Sequence, residues 1–209
     1  MSQAPTCIHG GAERGIFCKI CHQERRGAFI RTFTGVHFYP MDPRAEEIVI
    51  EDIAHALSMQ CRFGGHSFFF YSVAQHSLRA SNIVPPADAL AALLHDAAEA
   101  YLVDVPSPVK AELCEYRAIE NRLLEVIAAK FGFQWPLPPT VHAADAELLV
   151  AEMRDLFVKS PNWKTPISLL EEVYPLNHGP AKMRFLERFE ELTKGPGSKA
   201  QGPREENSL

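Results

Sequence analysis

Three polar side chains stand where the residues around them call for something apolar. His76 lies three residues after Val73 and four before Ala80; His95 follows Leu94 and lies four after Ala91; Asp145 lies four after Val141 and four before Leu149. At helical spacing each points along an inward stripe. A carboxylate buried without a partner costs several kcal/mol, so a positive charge must meet it. Two imidazoles, Asp145, and Asp96 beside His95 make a donor set for one divalent cation. A single histidine on an apolar face is ordinarily a satisfied core residue, and that reading is adopted for His55, His66, His142 and His178. Glu99 falls one helical turn after His95 on the same face, and Asp104 sits in the turn that ends that helix. Periodicity by itself is equally compatible with an exposed Glu99 and a turn-forming Asp104.

Positioning these residues takes helices. From Glu46 the pattern turns helical, with Ile50, Ile53, Ala54 and Leu57 at three- and four-residue spacing. A second helix is predicted from Ser72 to Asn82, stopped by Pro85-Pro86, and a third from Ala87 to Leu102, ahead of Pro106. A long helix is predicted over Ser107–Phe131, with a core stripe of Leu113, Tyr116, Ile119, Leu123 and Ile127 and Gly132 as its C-terminal cap. Further helices are expected over Thr140–Phe157 and Pro180–Thr193. Residues 28–45 read as an extended or looped segment with a short hairpin. The expected class is all-α, with residues 1–27 a Cys/His-rich appendage, 28–194 the main domain and 195–209 a disordered tail.

The 209 residues, 46% hydrophobic and 22% charged, suit one soluble domain with appendages. A net charge of −5 argues against an electrostatic nucleic-acid binder. No apolar run is long enough for a membrane span, and the start lacks the basic and apolar regions of a signal peptide. A cytoplasmic location is expected, and five cysteines in a reducing compartment do not suggest a disulfide framework. Cys7 and His9, followed by Cys18 and Cys21, have the look of a small structural zinc site, with His22 able to replace His9; the alternative is a tail carrying reduced thiols.

The run His95-Asp96-Ala97-Ala98-Glu99, then Asp104-Val105-Pro106-Ser107-Pro108-Val109-Lys110, resembles the bacterial 5′-deoxynucleotidases of the HD superfamily. Val73-Ala74-Gln75-His76-Ser77 and Ala144-Asp145-Ala146 resemble two further signatures of that family. Arg31–Gly35 and Ile50–Ser58 bring the likeness closer to phage and prophage HD proteins, among them phage dATP triphosphohydrolases. The resemblance spans residues 28–193 and implies an HD-domain helical bundle. It implies that His76, His95, Asp96 and Asp145 bind one divalent metal (Co²⁺, Mn²⁺, Fe²⁺, Ni²⁺ or Zn²⁺), and that Glu99 and Asp104 are catalytic, handling protons and the attacking water. Arg62 and Lys110 would hold phosphate, Phe63 would stack on the substrate or sense its sugar, and Pro108 would pack near the base. Phe63 stands where the family has Trp, and His142 where members often have Lys.

The activity implied is removal of the 5′-phosphate or triphosphate from deoxynucleotides, dATP above all (also dADP and dAMP), by a homo-oligomer. Alternatives are a broad 5′-deoxynucleotidase acting on dNMPs, another HD-type phosphodiesterase, a scaffold that has lost catalysis, and a zinc-knuckle module that binds nucleic acid. Two-metal phosphodiesterases need more histidines near the His-Asp pair than stand here.

Overall fold

The structure is a computed structural model that describes residues 26–159 and 168–194. The zinc reading of Cys7, His9, Cys18 and Cys21 falls outside the described residues, as does the expected tail. Helices carry the body, as the all-α expectation has it. The only sheet among the described residues is a hairpin of β1 (Ile30–Arg31) and β2 (His37–Phe38), paired Ile30 to Phe38 and Arg31 to His37. Arg26, assigned to the appendage by the sequence reading, is already anchored to the body. It is buried, it pairs with Asp42 and Glu47, and it stacks over the Tyr39 ring at 4.1 Å.

The helices follow in the order α1 (Ile50–Met59), α2 (Val73–Ile83), α3 (Ala89–Leu93), α4 (Glu99–Leu102), α5 (Ser107–Lys110), α6 (Cys114–Phe131), α7 (Pro139–Leu156) and α8 (His178–Lys194). α2 is the central one and packs against α1, α3, α7 and α8. The main core joins Ile53 and Leu57 of α1, Val73 of α2, Leu93 and Leu94, Leu123 and Ile127 of α6, and Phe185 of α8. A smaller cluster fastens α7 to α2 and α3 through Ala80, Ala91, Ala92, Val141 and Leu148.

Three sequence expectations need correction. The helix expected over 87–102 is broken: between α3 and α4, residues 94–98 form turns. The backbone there tightens to three-residue hydrogen bonds, Ala97 to Leu94 and Glu99 to Asp96, which keep the helical sense while shortening the turn. The helix expected over 107–131 is likewise two, separated at 111–113, where Leu113 leaves helical geometry (φ −101°, ψ 74°). Its core stripe is real only in the second half, since Leu113 is exposed whereas Leu123 and Ile127 are fully buried. The four histidines read as core residues are not core: His66, His142 and His178 are exposed, and half-buried His55 stacks on Phe33. The Gly132 cap is found as expected, in the left-handed region with φ 77°.

Candidate metal centre

α2 begins at Ser72, whose hydroxyl accepts the Gln75 N–H at 3.1 Å and caps the helix. The Gln75 side chain turns outward from the cap, donating to the Tyr174 carbonyl and accepting from the Leu176 N–H. The start of α2 is thus fixed from both sides, and His76 sits in its first turn. His95 leaves the end of α3, and Asp145 lies in the second turn of α7.

The three converge. His76 Nε2 lies 3.3 Å from His95 Nε2 and 3.1 Å from Asp145 Oδ1. Asp96 Oδ2 stands 3.2 Å from His95 Nε2 and 3.8 Å from His76 Nε2. One ligand atom from each of His76, His95 and Asp145 lies within 4.8 Å of the others.

The far side of each ring decides what these nitrogens offer. His95 Nδ1 is 2.8 Å from the Ala92 carbonyl, which can only accept, so Nδ1 carries the hydrogen. His76 Nδ1 is 2.7 Å from Glu152 Oε1, and the same oxygen accepts the Tyr71 hydroxyl at 2.9 Å. Both Nδ1 atoms are committed as donors, so the two Nε2 atoms face each other beside two carboxylates. The carboxylates call for positive charge there, which protons on the imidazoles or a metal ion would supply. The set of nitrogen and oxygen donors fits a divalent transition-metal ion.

The local electrostatics carry the same demand. Burial works against charge on His95, but Asp96 and Asp145 outweigh it and push its pKa up to about 9. Burial likewise opposes ionisation of Asp96 and Asp145, yet the imidazoles hold both carboxyls below their usual range.

A cavity of 470 Å³ opens on this cluster. It brings the expected Arg62, Phe63, Pro108 and Lys110 together with Asp96, Glu99, Asp104 and Asp145. Glu99 is buried, and burial, with Asp96 adding to it, pushes its carboxyl up to about 9. Its Oε1 accepts from Lys110 Nζ at 2.8 Å, while its buried Oε2 has no hydrogen-bond partner among the described residues. Asp104 follows Val103, a β-branched residue at φ 75°, a costly conformation outside glycine. Gln60 ties the two carboxylate positions together, accepting the Asp104 N–H at 3.0 Å and donating to the Glu99 carbonyl at 2.9 Å. Phe63 is also in the left-handed region, φ 59°, with its ring edge-to-face on Phe157.

Both cations of the cavity are already paired. Arg62 lies 3.5 Å from Asp96 and 3.3 Å from Glu152, and Lys110 bridges Glu99 and Glu120 at 2.8 Å each. A second cavity, of 570 Å³, shares Asp96, Lys110 and Asp145 and adds Glu120, Asn121, Trp135 and His142.

Sequence reasoning missed Glu152, Tyr71, Gln60 and Glu120. Glu152 carried a signal. It falls seven residues after Asp145 and four after buried Leu148, so it is a second carboxylate on the same inward face of α7. Tyr71 and Gln60 carried none, because their partners lie far away in the chain, and Glu120 carried none because its partner Lys110 sits on a separate helix.

Fold and centre together define a mostly helical protein with a His–Asp cluster able to hold a metal ion. The chain belongs to the family of the uncharacterized protein YfdR of Escherichia coli (strain K12). It is 41% identical to that protein over 172 residues, covering 80% of this chain and 97% of the relative. The uncharacterized protein RCAP_rcc00048 of Rhodobacter capsulatus is 36% identical over 127 residues, 56% of this chain and 65% of that protein. No protein-family model matches the chain.

Proposed function

We propose that the chain is a divalent-metal-dependent phosphohydrolase of the HD superfamily. It would cleave deoxynucleotides between the 5′-oxygen and the first phosphorus, with deoxyadenosine phosphates, dATP first, as substrates. The observation that carries this reading is the pair of imidazoles whose Nδ1 atoms are both engaged and whose Nε2 atoms meet 3.3 Å apart beside Asp96 and Asp145. Asp96 and Asp145 of that cluster line a cavity together with Glu99, Asp104 and Lys110.

His76, His95, Asp96 and Asp145 would hold the ion. Bound there, a divalent cation draws charge off the phosphoryl oxygens and makes water acidic enough to attack near neutral pH. Asp104, facing the cavity, orients the water and takes its proton. Glu99 keeps its own proton at neutral pH because burial raises its carboxyl, and it donates that proton to the departing 5′-oxygen. Lys110 and Arg62 meet phosphate oxygens by sharing them with their present carboxylate partners. Phe63 and Pro108 supply an apolar wall for the sugar and base. A monophosphate yields nucleoside and phosphate; a triphosphate cut at the same bond yields nucleoside and triphosphate.

A second reading, hydrolysis of a phosphodiester, is favoured by the second cavity. That cavity gives room beyond the cluster for another organic group, with Trp135 in its wall. One experiment addresses both readings. Purified protein supplemented with Co²⁺ or Mn²⁺ is given each dNTP, each dNMP and a deoxydinucleotide, and the products are separated. Deoxyadenosine from dATP or dAMP, lost in Asp96→Ala, is the expected result. Cleavage of the dinucleotide alone would replace the proposal with the second reading, and metal-loaded protein inert toward all three classes would overturn both.

A further inference from the structure

We propose that Glu152 is the positioning residue of the centre, holding His76 in the one tautomer and orientation that can ligate a metal and tying Asp96 into the same network. The inference rests on the metal reading above. Glu152 lies two turns beyond Asp145 on α7 and is completely buried. Two donors and a cation from distant parts of the chain converge on it: His76 Nδ1 at 2.7 Å and the Tyr71 hydroxyl at 2.9 Å on Oε1, and the Arg62 guanidinium as an ion pair 3.3 Å from Oε2. The other terminal nitrogen of the same guanidinium lies 3.5 Å from Asp96 Oδ2. Glu152 therefore touches one ligand directly and a second through Arg62, without facing either cavity.

A buried carboxylate needs partners wherever it sits, and a purely architectural ion pair would satisfy that need through Arg62 alone. The contact to His76 does more. It fixes the hydrogen on Nδ1, which leaves Nε2 as the lone pair directed at the cluster. It also makes that nitrogen a better donor, because the partially transferred proton pushes electron density into the ring. Tyr71 holds the accepting oxygen in place. His95 has only the neutral Ala92 carbonyl in the same position, so the two imidazoles are unequal and His76 is the stronger ligand.

The test is metal binding, measured apart from catalysis. Co²⁺ affinity by competition with a chromophoric chelator, and the visible spectrum of the Co²⁺ protein, would be compared for wild type, Glu152→Gln, Glu152→Ala and Tyr71→Phe. The melting temperature of each metal-free protein is recorded alongside. Glu152→Gln keeps the shape and is expected to weaken Co²⁺ binding by about 10–100-fold with an altered spectrum. Tyr71→Phe should weaken binding less. If Glu152→Ala does not fold, the Gln variant carries the test. A folded Glu152→Gln protein with wild-type affinity and spectrum would overturn the role of Glu152 and leave the metal reading standing. Wild-type protein that takes up no Co²⁺ would overturn both.

Discussion

In the proposed metal site, a proton and a metal ion would compete for Nε2 of His95. Without a metal its pKa is raised to about 9, because Asp96 and Asp145 outweigh the burial that opposes its charge. A metal must displace that proton, so binding releases it. The sign follows: below about 9 the proton competes, and apparent metal affinity climbs with pH until it levels off near that value. Binding isotherms between neutral pH and the plateau, with proton release followed in weak buffer, check this; affinity independent of pH would contradict it. Glu99 supplies a second prediction. Its protonated form, stable up to about 9 without the metal, is the proposed donor. A nearby cation lowers that value, so kcat/KM should fall along an alkaline limb at or below about 9. Glu99→Gln should cost about 10²–10⁴-fold in rate and erase the limb, as a pH–rate series would record. His76, His95 and Asp145 are legible in the sequence because each breaks an apolar pattern, whereas Glu99 and Asp104 are equally compatible with an exposed helix residue and a turn former, and Arg62, Phe63, Pro108 and Lys110 rest on the family resemblance. Glu152 breaks the pattern of α7 in the same way.

At the scale of elements, α2 is the member on which the centre hangs. His76 lies one turn from its N-terminus, so the capping hydroxyl of Ser72 sets the register of a ligand as well as the stability of a helix. Ser72→Ala should lower unfolding stability by about 1 kcal/mol. Because the first turn frays with the cap gone, Co²⁺ affinity should fall as well; denaturant unfolding and the chelator competition measure the two effects separately. α2, α7 and α8 were readable to within a residue or two, since each pairs an apolar stripe with a definite stop. The interruptions at 94–98 and 111–113 were not readable. A backbone tightened to three-residue hydrogen bonds places its side chains almost where a continuous helix would, so the apolar spacing runs through the break unchanged. At the first break His95 Nδ1 meets the Ala92 carbonyl at 2.8 Å, a contact that apolar spacing does not encode.

On the scale of the whole molecule, the centre joins α2, the turns after α3, and α7, three segments otherwise held by apolar packing through Ala80, Ala92, Val141 and Leu148. A metal bound only by the folded chain stabilises it by mass action, about 2.7 kcal/mol at a hundredfold excess over Kd. The melting temperature should rise by several degrees when Mn²⁺ or Co²⁺ is added and return when EDTA is supplied, read by thermal unfolding at fixed protein concentration. The scattered origin of the cluster also bears on how the protein is made. His76 and His95 leave the ribosome early, whereas Asp145 and Glu152 arrive only with α7, a delay on the order of seconds at about 5–20 residues per second. During that interval the nascent chain carries two imidazoles but neither the α7 carboxylate that completes the cluster nor the one that orients His76. Under the proposed metal reading, tight loading would wait for the last third of the polypeptide, and a ribosome-stalled fragment ending before α7 would be a poor competitor for the cell's metal.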